Sequence, residues 1–243
     1  MINDVRNTVL SVLNKNNYGY ISVSDFNLYA KQAQIDIFKQ YMYDIRYNLA
    51  KENSRMASEG LANVTGQLEE ELRKFVETNT LTQSSGNVYF LPSPTTTSDN
   101  LYKILNVSVY DTGAYQGDAE IIGEDEVHLL NSSMLLVPTK QFANYTIGGN
   151  AITVYPATIT GASDISCTYI RMPKDPKWTY VSLANGEPIF DQSQGDYQDF
   201  ELDLSEYNEL VFRILQYAGF SIRELQIAQG ADSMENQQEN SER

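Results

Sequence analysis

Apolar residues along this chain recur at two different periods, and the places where the period changes constrain the fold more than any other feature. From Ile2 to Phe75 they return every three or four positions, the spacing that lines one face of an α-helix. From about Thr80 to Leu202 the spacing falls toward two, in runs rich in β-branched and aromatic residues, as strands require. From Ser205 to Leu225 the helical spacing returns. A chain with this pattern is expected to be α+β: helices from both chain ends form one helical layer, and a central, mainly antiparallel β domain lies between them in sequence. The expected division is 1–80 helical, 81–202 β, 203–229 a C-terminal helix returning to the N-terminal helices, and 230–243 an acidic tail without periodicity, flexible when alone.

Within the first part, Ile2, Val5, Val9 and Leu13 predict a first helix that Asn16-Asn17-Tyr18-Gly19 breaks. Tyr20 to Val23 reads as a short extended piece, and Ser24 as the N-cap of a long helix with Asp25 in its first turn. That helix carries the stripe Phe26, Tyr29, Ala30, Ala33, Ile37, Tyr41, Ile45 and Leu49. A third helix is expected to carry Leu61, Val64, Leu68, Leu72 and Phe75. Phe38, Tyr41, Tyr43 and Tyr47 give the long helix more aromatic surface than one stripe needs. They could serve a neighbouring subunit, where aromatic residues are common anchors, or a wider core contact.

Strands are predicted over 87–91, 102–110 and 165–171, the last ended by Pro173. Residues 142–147 and 151–155 flank Gly148-Gly149-Asn150 as a hairpin. Residues 124–130 read as a short helix. Ser205 reads as the cap of the last helix, whose stripe is Leu210, Val211, Ile214, Leu215, Ala218, Ile222 and Leu225.

Charge narrows the function classes. The 243 residues hold 32 acidic and 17 basic side chains, a formal net charge of −15, and no Lys/Arg block. Tight nucleic-acid binding depends on basic contacts to phosphate, so this surface argues against it. An acidic surface suits ordinary solubility first, and also a wall past which DNA slides without sticking. The N-terminus shows no basic segment followed by an apolar run, and no apolar stretch approaches membrane-spanning length, so a soluble site of synthesis and use is expected. A single cysteine, Cys167, allows no internal disulfide and fits a reducing cytoplasm.

No pattern marks catalysis, a cofactor or a metal. His128 stands alone, which speaks against a His-based metal site or a Ser–His pair. Cys167 lies in mid-strand and reads as a buried thiol. Gly148-Gly149-Asn150 lacks the Lys-Ser/Thr of a phosphate loop and reads as a turn. Asp111, Gly113, Gly117 and Asp118 lack the regular alternation of an EF-hand. Glu187, Asp191, Asp196 and Asp199 form an acidic loop region with no spacing that marks acid–base work or ion binding.

The second half carries a resemblance. Its pieces run in order: Gly123-Glu124-Asp125-Glu126, Leu129-Leu130-Asn131-Ser132, Pro138-Thr139, Phe142-Ala143-Asn144-Tyr145, Ile147 to Pro156, Cys167 to Trp178, Asp199-Phe200-Glu201-Leu202, Glu209-Leu210-Val211 and Ala218-Gly219. Together they span roughly Ala119 to Ile227 and resemble the head–tail connector proteins of short-tailed phages, the tail tubular protein A family and the ring proteins of crAss-like phages. The resemblance implies a virion protein, assembled in the host cytoplasm, that forms a ring of copies, usually twelvefold, under the portal. It implies no enzymatic activity and no cofactor. Its partners would be other copies of itself, the portal protein and a downstream tail or second ring protein, with genomic DNA passing through the lumen without sequence-specific binding. A terminal extension that folds on the adjoining ring would be the tail from Gly230. The interface candidates are Phe38, Tyr41, Tyr43, Tyr47, Trp178, which reads first as a core residue, and Met234 in the tail. Three other readings remain beside it: another tail or baseplate protein, a carbohydrate-binding adhesin domain suggested by the seventeen tyrosines, and an enzyme with an unrecognised carboxylate site.

Overall fold

The computed structural model describes residues 1–14, 21–53, 70, 72–93, 99–134, 136–182 and 188–222. It is α+β, with helices near both chain ends and antiparallel or mixed sheets between them in sequence. The helices, in chain order, are α1 (Ile2–Asn14), α2 (Val23–Asn53), α3 (Val127–Ser132) and α4 (Tyr207–Ile222). The strands are β1 (Val76–Thr80), β2 (Thr82–Ser85), β3 (Val88–Phe90), β4 (Leu101–Asp111), β5 (Ala114–Asp118) and β6 (Glu120–Ile121), followed by β7 (Asn144–Gly148), β8 (Ala151–Tyr155), β9 (Ile165–Arg171), β10 (Tyr180–Ser182) and β11 (Pro188–Phe190). The chain divides into two compact units: a helical unit of Met1–Glu71 with Pro173–Arg243, and a β unit of Leu72–Met172.

In the helical unit, Ile2, Val5, Val9 and Leu13 give α1 one fully buried face. The N-terminus of α1 meets Asp199, whose carboxylate accepts from the Met1 amine at 3.1 Å and from the Ile2 amide at 2.8 Å. An anion there offsets the partial positive charge of the exposed N–H groups. Ser22, rather than Ser24, starts α2. Its Oγ accepts from the Asp25 amide at 3.2 Å and donates to the Asp25 carboxylate at 2.6 Å, while its carbonyl takes the first helical bond from Phe26. The serine thus satisfies one of the unpaired amides of the first turn, as an N-cap does, and its hydroxyl is held in place by the acid three positions later. The last helix is likewise preceded by Asp203, not Ser205: Asp203 accepts from the Leu204 amide at 2.6 Å and opens a 3-10 turn that runs into α4.

α4 packs on α1 and α2. Its stripe Leu210, Val211, Ile214, Leu215 and Ala218 is buried. Tyr29 of α2 and Tyr217 of α4 stack at 6.4 Å between ring centroids. The Tyr217 hydroxyl donates to Asp36, and Arg213, paired with Glu209 one turn back, donates to Gln40. Burial first, and then the Asp36 carboxylate, push the Tyr217 phenol up to about 12.

The β unit is a two-sheet sandwich. One sheet runs β1-β9-β4-β5 and the other β2-β3-β8-β7-β6, antiparallel except for the β6–β7 pair. Two strands cross between the sheets through single buried residues. Leu81 links β1 to β2, and Ala119 links β5 to β6. At the second corner the Ala119 amide bonds Val107 in one sheet, and the next amide bonds Ala143 beside the other. The core between the sheets holds Tyr89, Val107, Val109, Tyr145, Ile152, Val154, Ile165, Cys167 and Tyr169, the inward members of alternating strands. Tyr169 makes this interior partly polar: its hydroxyl accepts from Asn79 at 2.8 Å and donates to the buried Asp99 at 3.2 Å. The two-residue turn at Gly149-Asn150 joins β7 to β8, with Gly149 at φ +59°, a conformation that glycine adopts without steric cost.

The boundaries differ from those the spacing predicts. Residues 76–80 are a strand, paired from Val76↔Ile170 to Thr80↔Ser166, and not the end of a helical region. Of the third expected helix, Leu61, Val64 and Leu68 lie outside the described residues, and Arg73–Phe75 is a single 3-10 turn. Residues 173–202 belong to the helical unit and not to the β domain. Side-chain amides on α2 bind this segment. Buried Gln34 donates to the Lys174 carbonyl at 2.7 Å and accepts from the Glu201 amide at 3.0 Å. Asn27 donates to the Trp178 carbonyl and accepts from its amide, at 3.2 and 2.9 Å.

Candidate functional site

Trp178 is a core residue. It is 2% exposed, and Arg6 of α1 lies over its ring at 3.9 Å. Its indole N–H donates to Asn3, and Tyr180 and Phe190 of the β10–β11 hairpin stack near it, each at 5.8 Å. A ring enclosed in this way offers nothing to a second subunit. Phe38, fully buried on α2, also turns inward. The expectation that Phe38 anchors a neighbour is therefore corrected, Trp178 is the core residue rather than the anchor of its two readings, and the reason is geometric. Phe26, Ala30, Ala33, Gln34, Ile37, Phe38 and Met42 are all buried, a face wider than one stripe, because α2 has α4 on one side and segment 173–202 on another. Tyr41 is half-buried. Tyr43 and Tyr47 do point outward, 67% and 49% exposed, and their rings lie nearly parallel at 6.3 Å, one helical turn apart. Met234 lies outside the described residues.

Of the acidic candidates, Glu187 lies outside the described residues and the others are engaged within the protein. Asp191 accepts from the Ser193 amide and hydroxyl at 2.9 and 2.6 Å, and these bonds hold its carboxyl below the usual range. Asp196 pairs with Lys177, which lowers it likewise. Asp199 holds the start of α1. Asp118 accepts from Ser108 at 2.8 Å, the main cause of its lowered pKa, and Asp111 pairs with Lys140 at 2.7 Å. Burial pushes the Cys167 thiol up to about 11, which makes it a poor nucleophile. His128 is exposed on α3. Among the described residues no group of three His, Cys, Asp or Glu side chains is placed to hold a metal ion, and no helix is long and apolar enough to cross a membrane. In the helical unit an open cleft of about 630 Å³ is lined by Ser22, Asn27, Lys177, Tyr180, Gln194 and Asp196 among others. Lys177 and Asp196 pair with each other there, and Asn27 is bonded to Trp178.

The feature that stands out is an apolar excursion on the β unit. β6 and β7 are adjacent parallel strands at one edge of the five-stranded sheet, so the connection between them leaves and returns at the same edge. It carries α3 and then irregular chain. Val127, Pro138 and Ala143 are buried. Met134 and Phe142 are 98% and 76% exposed, and Leu129, Leu136 and Val137 lie between 48% and 71%. The excursion is fastened down. Lys140 reaches Asp111 at the end of β4, and the Gln141 carbonyl sits so close to β5 that a Cβ on Gly117 would come within 2.3 Å of it. Thr139 and Phe142 close a turn on each other, amide to carbonyl at 3.1 Å and amide to hydroxyl at 3.2 Å. Leu129 and Phe142 help to carry the family resemblance, but nothing local in the sequence marks them as surface contacts. The signal available was a run of large apolar residues that fits neither period.

No protein-family model matches the chain, and no curated protein matches it significantly.

Proposed function

We propose that this protein is a structural subunit of a virion, a head–tail connector of the tail tubular protein A type. Its copies form a ring, usually twelvefold in the family it resembles, between portal and tail. The ring completes the DNA channel and presents one face to the portal and another to the next tail component. The work is assembly and not turnover.

The observation that carries this reading is the display of large apolar side chains on the surface of both units, Tyr43 and Tyr47 in one and Met134 and Phe142 in the other. Scattered apolar residues on a surface need no explanation, but a concentrated display marks a contact site. The identity of the assembly rests on the order of the pieces between Ala119 and Ile227, which resembles that family. The acidic surface supports a channel wall along which phosphates are repelled and DNA does not stick. Unlike faces on one subunit produce heterologous contacts, which close into rings when the rotation allows.

A genetic test is direct. Removing this protein from an infection should leave DNA-filled heads without tails, restored when the protein is supplied. Normal tailed, infectious particles in its absence contradict the proposal.

A further inference from the structure

The cleft of about 630 Å³ lies within the helical unit, between the start of α2 and the β10–β11 hairpin. Its volume falls in the range of roughly 300–1,000 Å³ that small-molecule sites occupy. Its lining is neither apolar nor of one charge. Ser24, Ser182 and Gln194 bring hydroxyls and an amide, Lys177 and Asp196 one charge of each sign, and Tyr180 an aromatic ring.

Tyr180 is a braced platform. Its ring is 44% exposed, stacks on Trp178 at 5.8 Å with 20° between the planes, and stands opposite Phe190 in the hairpin register. Trp178 is itself fixed by Arg6 and Asn3. A ring held in one place loses little freedom when a ligand covers it, and its electron-rich face attracts polarised C–H groups. The ion pair keeps capacity for a ligand. Lys177 and Asp196 are each more than half exposed. Their bond uses one of the three ammonium donors, and the carboxylate retains lone pairs. Neighbouring hydroxyls can therefore find a donor and an acceptor there without separating the charges. The hydroxyls of Tyr180 and Ser182 have no protein hydrogen bond among the described residues, which leaves two more groups that both donate and accept.

These features select a ligand class. An anion would meet a cation that is already paired, in a chain of net charge −15. An apolar ligand would cover the pair and the hydroxyls without bonding them, which costs free energy. A neutral molecule with one C–H-rich face and many hydroxyls satisfies the ring and the polar rim together. From this we infer that the cleft binds a neutral saccharide, with a sugar ring laid on Tyr180 and its hydroxyls bonded by Lys177, Asp196 and Ser182. The inference goes beyond the connector reading and does not depend on it.

The test applies the full chain to an array of neutral and anionic oligosaccharides and titrates each retained one by calorimetry. Neutral oligosaccharides should be retained. Their affinity should fall at least about tenfold in Tyr180→Ala and in Asp196→Ala, and should be unchanged in Tyr43→Ala, whose exposed ring lies outside the cleft. Tyr180 supports Trp178, so if Tyr180→Ala does not fold, Asp196→Ala decides, because that side chain lies at the surface. Retention of no neutral oligosaccharide, retention of anionic ones only, or undiminished affinity in folded Asp196→Ala overturns the inference and leaves the connector reading untouched.

Discussion

At the residue scale, the side chains that looked most like functional anchors turn out to hold the protein together. Trp178 is enclosed by Arg6, Asn3, Tyr180 and Phe190, contacts that come from residues up to 175 positions away. No local pattern announces such an enclosure. A tryptophan beside a lysine reads the same whether it faces a neighbour or a core. Gln34 is similar. It sits among helix-forming residues, yet its burial is compensated only because it bonds Lys174 and Glu201 across 140 and 167 positions. The reading of Cys167 as an inert thiol follows from strand alternation alone, because its neighbours Ser166 and Thr168 face outward. With its pKa raised to about 11 by burial, Cys167 should not react with a disulfide reagent at pH 8 in the folded protein and should react quickly once denaturant is added. Rapid labelling of the folded chain would show that the core around β9 is open.

At the element scale, long amphipathic segments were legible and short polar ones were not. α1, the first half of α2 and α4 through Ala218 follow their stripes because packing of one face dominates helix stability, whereas farther along α2 Phe38 and Met42 are buried and Tyr41 and Ile45 only half-buried. β1 and β2 were hidden: Val76-Glu77-Thr78-Asn79-Thr80 and Thr82-Gln83-Ser85 carry few apolar residues, and they are strands because β9 and β3 offer them partners. The β10–β11 hairpin was hidden by its shortness, three residues on each side. The start of α2 was displaced by two residues because serine stands at both 22 and 24, and only geometry tells which one caps. Substitution separates them. Ser22→Ala should lower stability by about 1 kcal/mol, while Ser24→Ala should change it by less than about 0.5 kcal/mol, as read by urea unfolding. Equal effects, or a larger one at Ser24, would remove the assigned cap. The apolar excursion went unread as a contact surface for a different reason. Whether its large residues face in or out depends on Val127, Pro138 and Ala143 taking the inward places, and that choice is made by the sheet edge to which the loop returns.

At the scale of the whole molecule, each unit has its own logic. The helical unit is made from both ends of the chain and is locked by α4 and by the segment 173–202. The β unit is a sandwich whose strands cross between sheets at Leu81 and Ala119, and whose one long edge connection is apolar outward. A chain so acidic, with several of its loop carboxylates engaged in caps and ion pairs and large apolar side chains on its surface, is suited to holding neighbours. The measurement that bears on this most directly is electron microscopy of the purified protein mixed with its portal at high concentration. The account predicts a closed collar of copies, with an open lumen, seated on the tail side of the portal. Single, unattached copies beside bare portals would contradict it.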